Sequence, residues 1–166
     1  MFLLRSLAAA ALCLLCSCGS TPKSTASGYR GQPAAMVNHD AVAPSNAPAA
    51  VKRAIDAGNR INHLPYQFGG GHGRASYGLD CSGSVSHVLR NAGLMESSMP
   101  SKGFLKYGKS GPGKYISIYV RDGHVFMTIC GLRFDTTSGG SGHVGPRWMT
   151  KPRNTKGFKV RHPAGY

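Results

Sequence analysis

The chain has 166 residues and a formal net charge of +14, from 20 basic and 6 acidic side chains. This length fits one modest domain with additional segments, and the absence of an internal repeat excludes a solenoid. The excess of positive charge indicates an anionic partner, such as nucleic acid, a membrane surface or a cell-wall polymer.

The N-terminus has the pattern of a secretory signal. Arg5 precedes an apolar run that is too short and wrongly flanked for a membrane-spanning helix. The letters LCSC that end this run resemble the bacterial lipobox, in which cleavage precedes the last cysteine and lipid is attached to it. We therefore expect residues 1–17 to be a lipoprotein signal peptide and Cys18 to be the lipidated residue. An ordinary signal cleaved nearby is the alternative. Export argues against nucleic acid as the anionic partner.

The next segment, residues 18–50, is rich in Ser, Pro, Ala and Gly and has no hydrophobic period. This composition predicts a flexible, lipid-anchored tether, so the folded domain is expected over residues 51–166. Apolar residues within 50–62 recur with a rough helical period. Pro65 and the three glycines at 69–71 then predict a loop.

A helix that carries a cysteine at its start is predicted next. Asp80 suits the N-cap position and Gly93 suits the C-terminal end. Four apolar residues between them share one helical face: Val85, Val88, Leu89 and Ala92. Cys81 belongs to the same face at its N-terminal end, where the helix dipole and free N–H groups favour a thiolate and predict a lowered pKa. These N–H groups also suit an oxyanion, which makes Ser82 a further candidate site residue.

Strand patterns dominate the rest of the chain. Alternating, β-branched stretches cover residues 114–120, 124–129 and 132–137, and a closing strand is expected at 158–163. The dipeptide Cys130-Gly131 predicts a two-residue hairpin turn. Helices followed by antiparallel hairpins favour an α+β fold with a small antiparallel sheet.

The predicted hairpin brings a histidine and an acid together. With a two-residue turn, His124, Arg133 and Asp135 share one face, and His124 and Asp135 are diagonal neighbours about 7–8 Å apart at Cα. A carboxylate beside an imidazole favours one tautomer and supports its charged form. Cys81, His124 and Asp135 together would form the set of a thiol acyl-transfer enzyme. Arg133 is able to pair with Asp135 or with a substrate carboxylate, or to form a simple surface salt bridge.

Other interpretations remain open at this point. Cys81 could be a buried core residue or form a disulfide with Cys130. The disulfide conflicts with a Cys81–His124 pair, because the hairpin tip lies roughly 20 Å from His124 at about 3.4 Å per residue. We therefore interpret Cys130 as a small turn or core residue. Thr136 would replace Asp135 as the third residue if the turn were one residue longer.

Several histidines compete for a role. His143 repeats the Gly-His-Val context of His124, but residues 138–157 look irregular and contain no partner acid, which predicts a loop histidine. His72, in the Gly-rich loop, is placed to touch substrate, whereas His87 faces away and is expected to be solvated. No CxxC or clustered Cys/His pair supports a metal site, and no cofactor is expected.

The stretches PYQFGGG, YGLDCSGSVSHVLRNAGL, GHVFMTI and GLRFDTT resemble the NlpC/p-sixty family of cell-wall cysteine peptidases. That family's signature runs Tyr-x-x-Gly-Gly, then Asp-Cys-Ser-Gly-x-Val, then a strand that opens with His and a third polar residue on the next strand. The resemblance covers most of residues 51–137 and implies a papain-like α+β unit. It implies Cys81 as nucleophile, His124 as base and then acid, Asp135 as the orienting residue and Tyr66 near the oxyanion site. The family often has His where this chain has Asp135.

The resemblance also implies a function. The expected activity is endopeptidase cleavage of peptidoglycan stem peptides, next to D-glutamate or diaminopimelate. The expected location is a bacterial membrane facing the cell wall, in the periplasm or at the outer membrane if the cell is diderm. Peptidoglycan, the anionic envelope surface and the membrane held through Cys18 are the expected partners. The alternatives are an amidase or acyltransferase on another amide, and an inactive basic lipoprotein that binds the envelope.

Overall fold

The structure is a computed structural model that describes residues 29–138 and 142–166. It is an α+β fold, as predicted. A short hairpin and two helices come first: β1 (Ala35–Val37), β2 (Asp40–Val42), α1 (Ala49–Ile61) and α2 (Cys81–Asn91). A 3-10 helical turn, Ser101–Lys106, leads into the strands of the main sheet: β3 (Lys109–Ser110), β4 (Ile116–Arg121), β5 (His124–Ile129), β6 (Leu132–Thr137), β7 (His143–Met149) and β8 (Lys159–His162).

The main sheet is antiparallel and has the strand order β3-β8-β4-β5-β6-β7. At its centre, β5 and β6 begin and end where the sequence predicts. Ile129 faces Leu132 across a two-residue turn. Cys130 and Gly131 both have positive φ, 46° and 78°, as a type I′ hairpin requires.

The two helices and the sheet share one hydrophobic core. The predicted apolar face of the β5–β6 hairpin is buried in it, through Val125, Met127, Ile129, Leu132 and Phe134. The predicted stripe of α2 is buried in the same core: Val85, Val88, Leu89 and Ala92. Burial of this stripe fixes the rotation of α2, so that Cys81, at the N-terminal end of the helix, also faces the core.

The prediction of a flexible tether over residues 18–50 is wrong for its second half. The backbone N–H of Ala34 donates to the carbonyl of Cys130 at 2.9 Å, and β1 pairs with β2. Ala41 is 3% exposed, and the side-chain amide of Asn59 on α1 hydrogen-bonds both its N–H and its carbonyl. Strands of three residues are too short to show a hydrophobic period. Part of the hydrogen bonding of this hairpin also comes from a distant side chain, that of Asn59. Composition alone therefore missed them.

Residues 138–157 are not an irregular excursion throughout, because β7 lies within them and pairs with β6 at the edge of the sheet. Pro146 is compatible with this strand because proline is tolerated at a sheet edge. Gly142, Gly145 and Pro146 obscure the strand pattern in the sequence. The predicted signal peptide, 1–17, and Cys18 lie outside the described residues. Within the part of the chain that the structure describes, no helix is long and apolar enough to cross a membrane.

Candidate active site

The cap of helix α2 places Cys81. Asp80 has extended backbone, and its Oδ1 accepts the N–H of Gly83 at 2.7 Å and the hydroxyl of Ser82 at 2.9 Å. Its other oxygen accepts the N–H of Gly69 at 3.0 Å. The predicted N-cap is therefore confirmed, and the same carboxylate ties the Gly-rich loop to the first turn of the helix.

That loop packs against the helix backbone with no space for side chains. A Cβ atom at Gly83 would lie 2.0 Å from the carbonyl oxygen of Gly70, and one at Gly70 would lie 2.2 Å from the carbonyl oxygen of Gly78. The glycines thus allow the loop to lie directly on the first turn of α2. This packing brings Tyr66 and His72 to the same cleft as Cys81.

The N-terminus of α2 meets strand β5 next to His124. The backbone N–H of Val125, the residue that follows His124, lies near enough to the sulfur of Cys81 to lower the pKa of its thiol. The side of the cleft opposite the Gly-rich loop includes Asp122 and Gly123, from the turn that precedes β5. The whole cleft has a volume of about 610 Å³. His124 itself does not line this cleft: its ring lies against Phe126, Phe158 and Asp135, on the face of β5 opposite to Val125 and to the core that contains Cys81. A contact between Cys81 and His124 therefore stays a prediction.

His124 is held by Asp135. Its Nε2 lies 3.0 Å from Oδ1 of Asp135, and the carboxylate side chain is completely buried. The N–H of Thr137 donates to the same oxygen at 3.1 Å. An ionised carboxylate only accepts hydrogen bonds, so Nε2 carries the proton and Nδ1 is left as the basic nitrogen. The predicted His124–Asp135 pair is confirmed as a contact.

Two arginines surround the buried carboxylate. Arg153 donates from Nη1 to Oδ2 of Asp135 at 2.7 Å and also to the hydroxyl of Thr137, and it lies 3.4 Å from Nε2 of His124. Arg133 is the second cation, 3.8 Å from Oδ2. Burial by itself would raise the pKa of Asp135, but the hydrogen bond and charge of His124, together with Arg153, lower it overall. Asp135 is thus a charged group inside the protein.

The pKa of the Cys81 thiol is shifted in the opposite direction to that of Asp135. Burial raises its pKa, and the negative charge of Asp80 raises it further. The backbone N–H groups of Val125, Ser82 and Cys81 itself act against this increase but do not cancel it. The predicted lowering of this pKa is therefore wrong for the protein without substrate, because loss of water outweighs the helix N-terminus.

Of the remaining predicted site residues, Tyr66 and Ser82 line the Cys81 cleft and Arg133 does not. Tyr66 lines the cleft, and burial, Cys81 and Asp80 raise the pKa of its hydroxyl to about 12. Ser82 also lines the cleft, with its hydroxyl directed to Asp80 and His72. Arg133 does not line the Cys81 cleft: it is buried beside Met149 in the lining of a different cavity. Of the alternatives for Arg133, the pairing with Asp135 is confirmed, as a buried contact and not as a surface salt bridge.

The open alternatives are now decided in part. Cys81 and Cys130 are both free thiols, and Cys130 is a buried turn residue as interpreted. Asp135, not Thr136, faces His124, and the hydroxyl of Thr136 is buried without a hydrogen-bond partner among the described residues. His143 lies on a strand, not in a loop, and its ring stacks on Tyr66 at 3.9 Å between centroids.

Three further outcomes concern residues near the site. His72 lines the cleft as predicted, 3.3 Å from Asp80. The sequence predicts a solvated His87, but burial lowers the pKa of its ring and its Nε2 is enclosed. Arg153 was missed altogether, because it lies in an irregular stretch after β7 where no local pattern marks a partner for a residue 18 positions away.

No protein-family model matches this chain, and no curated protein matches it. The functional argument therefore depends on the residues and geometry of the site.

Proposed function

We propose that the chain is a thiol hydrolase similar to the NlpC/p-sixty cysteine peptidases, with a papain-like arrangement, that cleaves an amide bond in peptidoglycan stem peptides. It would be exported and anchored through lipid on Cys18. The observation that carries the proposal is the position of Cys81 at the capped N-terminus of α2, beside the backbone of β5, the strand that begins with His124 and its Asp135 contact. The resemblance and the positive net charge favour a cell-wall substrate over other amides.

The first half of the reaction forms an acyl-enzyme. The sulfur of Cys81 attacks the amide carbonyl carbon while its proton passes to Nδ1 of His124, which is the basic nitrogen of the neutral ring. Because the pKa of the resting thiol is raised, this proton moves during the attack and not beforehand. The N–H groups of Cys81 and Ser82, which already act on the thiol, are available to the developing oxyanion. The C–N bond then breaks, and His124 returns the proton to the departing amine.

The second half hydrolyses the thioester. Water attacks the acyl carbon and gives one proton to Nδ1 of His124, and the C–S bond breaks as the proton returns to the sulfur. The products are a new amine and a new carboxylic acid, which releases the second proton of the water to become a carboxylate, and the resting thiol is regenerated. Throughout both halves, Asp135 keeps the ring of His124 in one tautomer and stabilises its protonated form.

The experiment is digestion of purified peptidoglycan by the full-length chain, with release of new amino groups as the measurement. Replacing Cys81 with Ala should reduce the rate by about 10³-fold or more, because the nucleophile is gone. The matched control is Cys130→Ala, which removes the other buried free thiol and should retain the activity. Equal activity in the two variants would refute the assignment of the nucleophile.

A second candidate function is supported by the raised pKa of Cys81. A thiol that stays neutral suits an envelope-binding lipoprotein with an inactive site. If this candidate is correct, the wild-type chain and Cys81→Ala should sediment equally with peptidoglycan. Neither chain should release new amino groups from it. Cleavage that disappears in Cys81→Ala would exclude it.

A further inference from the structure

A second cavity lies beside the site, across the turn between β4 and β5. Its lining is strongly cationic: Arg121, Lys151, Arg153 and Lys156, together with Ser138, Pro152, Asn154 and Phe158. We call it the cationic cavity. Its volume is about 520 Å³, and among the described residues no Asp or Glu lines it. The acid nearest in the chain, Asp122, faces the Cys81 cleft instead.

The positive charges of this cavity are held close together by one aromatic ring. The guanidinium of Arg121 lies 4.9 Å from the centre of the Phe158 ring, and that of Arg153 lies 5.4 Å from the same centre. Such cation–π contacts fix the positions of the guanidinium groups without neutralising them. Two cations on one ring repel each other, so an anion between them is favoured.

The partners of these cations leave most of the charge uncompensated. Within residues 29–138 and 142–166, Arg121, Lys151 and Lys156 form no ion pair. Arg153 is paired with Asp135, but all of its hydrogen bonds to the buried site use Nη1. Its Nε and Nη2 atoms carry three further N–H groups.

Polar groups of fixed orientation complete the lining. The side-chain oxygen of Asn154 accepts the N–H of Lys156 at 2.9 Å, which fixes the amide and leaves its NH₂ group to donate. Ser138 contributes a hydroxyl at the end of β6. Guanidinium forks, ammonium groups and neutral donors in one concave site are the set that binds oxyanions with several charged oxygens.

We propose that the cationic cavity binds a multiply charged oxyanion, namely a polyphosphate or polycarboxylate group. Such a ligand would lie one β-turn from the Cys81 cleft, because Arg121 lines this cavity while its neighbours Asp122 and Gly123 line the cleft. It would also contact Arg153, and through Arg153 the buried Asp135. This goes beyond the proposed hydrolase, because the binding needs neither Cys81 nor cleavage.

The test is calorimetric titration of the full-length chain with inorganic pyrophosphate and, separately, with citrate, at constant ionic strength. The test variant replaces Arg121 and Lys156 with Gln, two exposed cations outside the Cys81, His124 and Asp135 set. The matched control replaces Lys102 and Lys106 with Gln, which removes the same charge from another exposed surface. Circular dichroism confirms that both double variants are folded.

We expect saturable binding of at least one of the two anions, weakened tenfold or more in the test variant and twofold or less in the control. The stronger anion identifies the ligand as a phosphate or a carboxylate group. Cys81→Ala should bind as the wild type does, so this result is separate from the fate of the hydrolase proposal. No saturation by 10 mM of either anion, or equal weakening in the two double variants, would overturn the proposal.

Discussion

The two ends of the proposed proton path show what burial does to an acid with and without a counter-charge. Cys81 and Asp135 are both buried acids, 7% and 2% exposed. Cys81 is surrounded by apolar residues and by backbone N–H groups, and its pKa is raised. Asp135 contacts His124 and Arg153, and its pKa is lowered despite an opposing contribution from burial. Backbone dipoles alone are thus weaker than desolvation, whereas a guanidinium and an imidazole together outweigh it.

The two groups therefore affect stability at opposite ends of the pH scale. Asp135 binds protons less readily in the folded chain than in the unfolded one, so its stabilising effect is present above pH 4 or so and is lost as the pH falls. Cys81 holds its proton more tightly when folded, so its effect is present below about pH 8.5 and is lost as the pH rises. Each prediction below alters one side of this contrast.

The largest effect is expected for Asp135→Asn. It leaves the buried Arg133 and the partly buried Arg153 without their anion, so the free energy of unfolding should fall by about 3–5 kcal/mol in urea titrations. Hydrolysis should fall by about 10²–10⁴-fold, because the amide no longer holds the tautomer of His124. The free energy of unfolding should also fall less steeply as the pH is lowered below about 4, because asparagine does not titrate. Asp56→Asn, on the exposed side of α1, is the control and should change stability by less than about 0.5 kcal/mol.

Full activity in Asp135→Asn would mean that the carboxylate does not support His124. Loss of stability with unchanged activity would assign Asp135 to the fold alone.

A smaller effect is expected for Arg153→Gln, which removes a single counter-charge from Asp135. The pKa of Asp135 should rise, and the acid limb of the activity profile should move to higher pH. The free energy of unfolding should fall by about 1.5–3 kcal/mol, the cost of a charged hydrogen bond. Arg153→Lys should restore the pH profile in part, because lysine keeps the charge but not the fork that reaches Asp135 and Thr137 together.

The control for this experiment is Arg30→Gln, an exposed cation far along the chain, which should leave the pH profile unchanged. An acid limb that stays in place in Arg153→Gln would show that Arg153 does not keep Asp135 ionised.

Sequence reasoning could predict the parts of this contrast that depend on local spacing. The capping of α2 by Asp80, the two-residue hairpin and the His124–Asp135 contact all follow from periods of a few residues. The sequence did not reveal Arg153, because its partner lies across the sheet. Nor did it reveal the raised pKa of Cys81, which depends on how completely the fold removes water.

The fold shows the same limit. Strong alternation in the sequence predicts β5 and β6 at their observed bounds. The short strands β1 and β2, and β7 with its Gly and Pro, depend on pairing with distant segments and were missed.

The smallest effect concerns Cys81 itself, in alkylation by iodoacetamide followed against pH. Cys130→Ala is the background, so that one described thiol remains. The midpoint should lie above about 8.5, the value of a free thiol, because burial raises the pKa of Cys81. Asp80→Asn should then lower the midpoint, since it removes the nearby negative charge but keeps an oxygen that caps Gly83. Its cost in stability should stay within about 1 kcal/mol, because Asn and Asp are comparable N-caps. An alkylation midpoint below 8.5 in the Cys130→Ala chain that keeps Asp80 would mean that backbone N–H groups outweigh burial at this helix terminus. The contrast between Cys81 and Asp135 would then disappear.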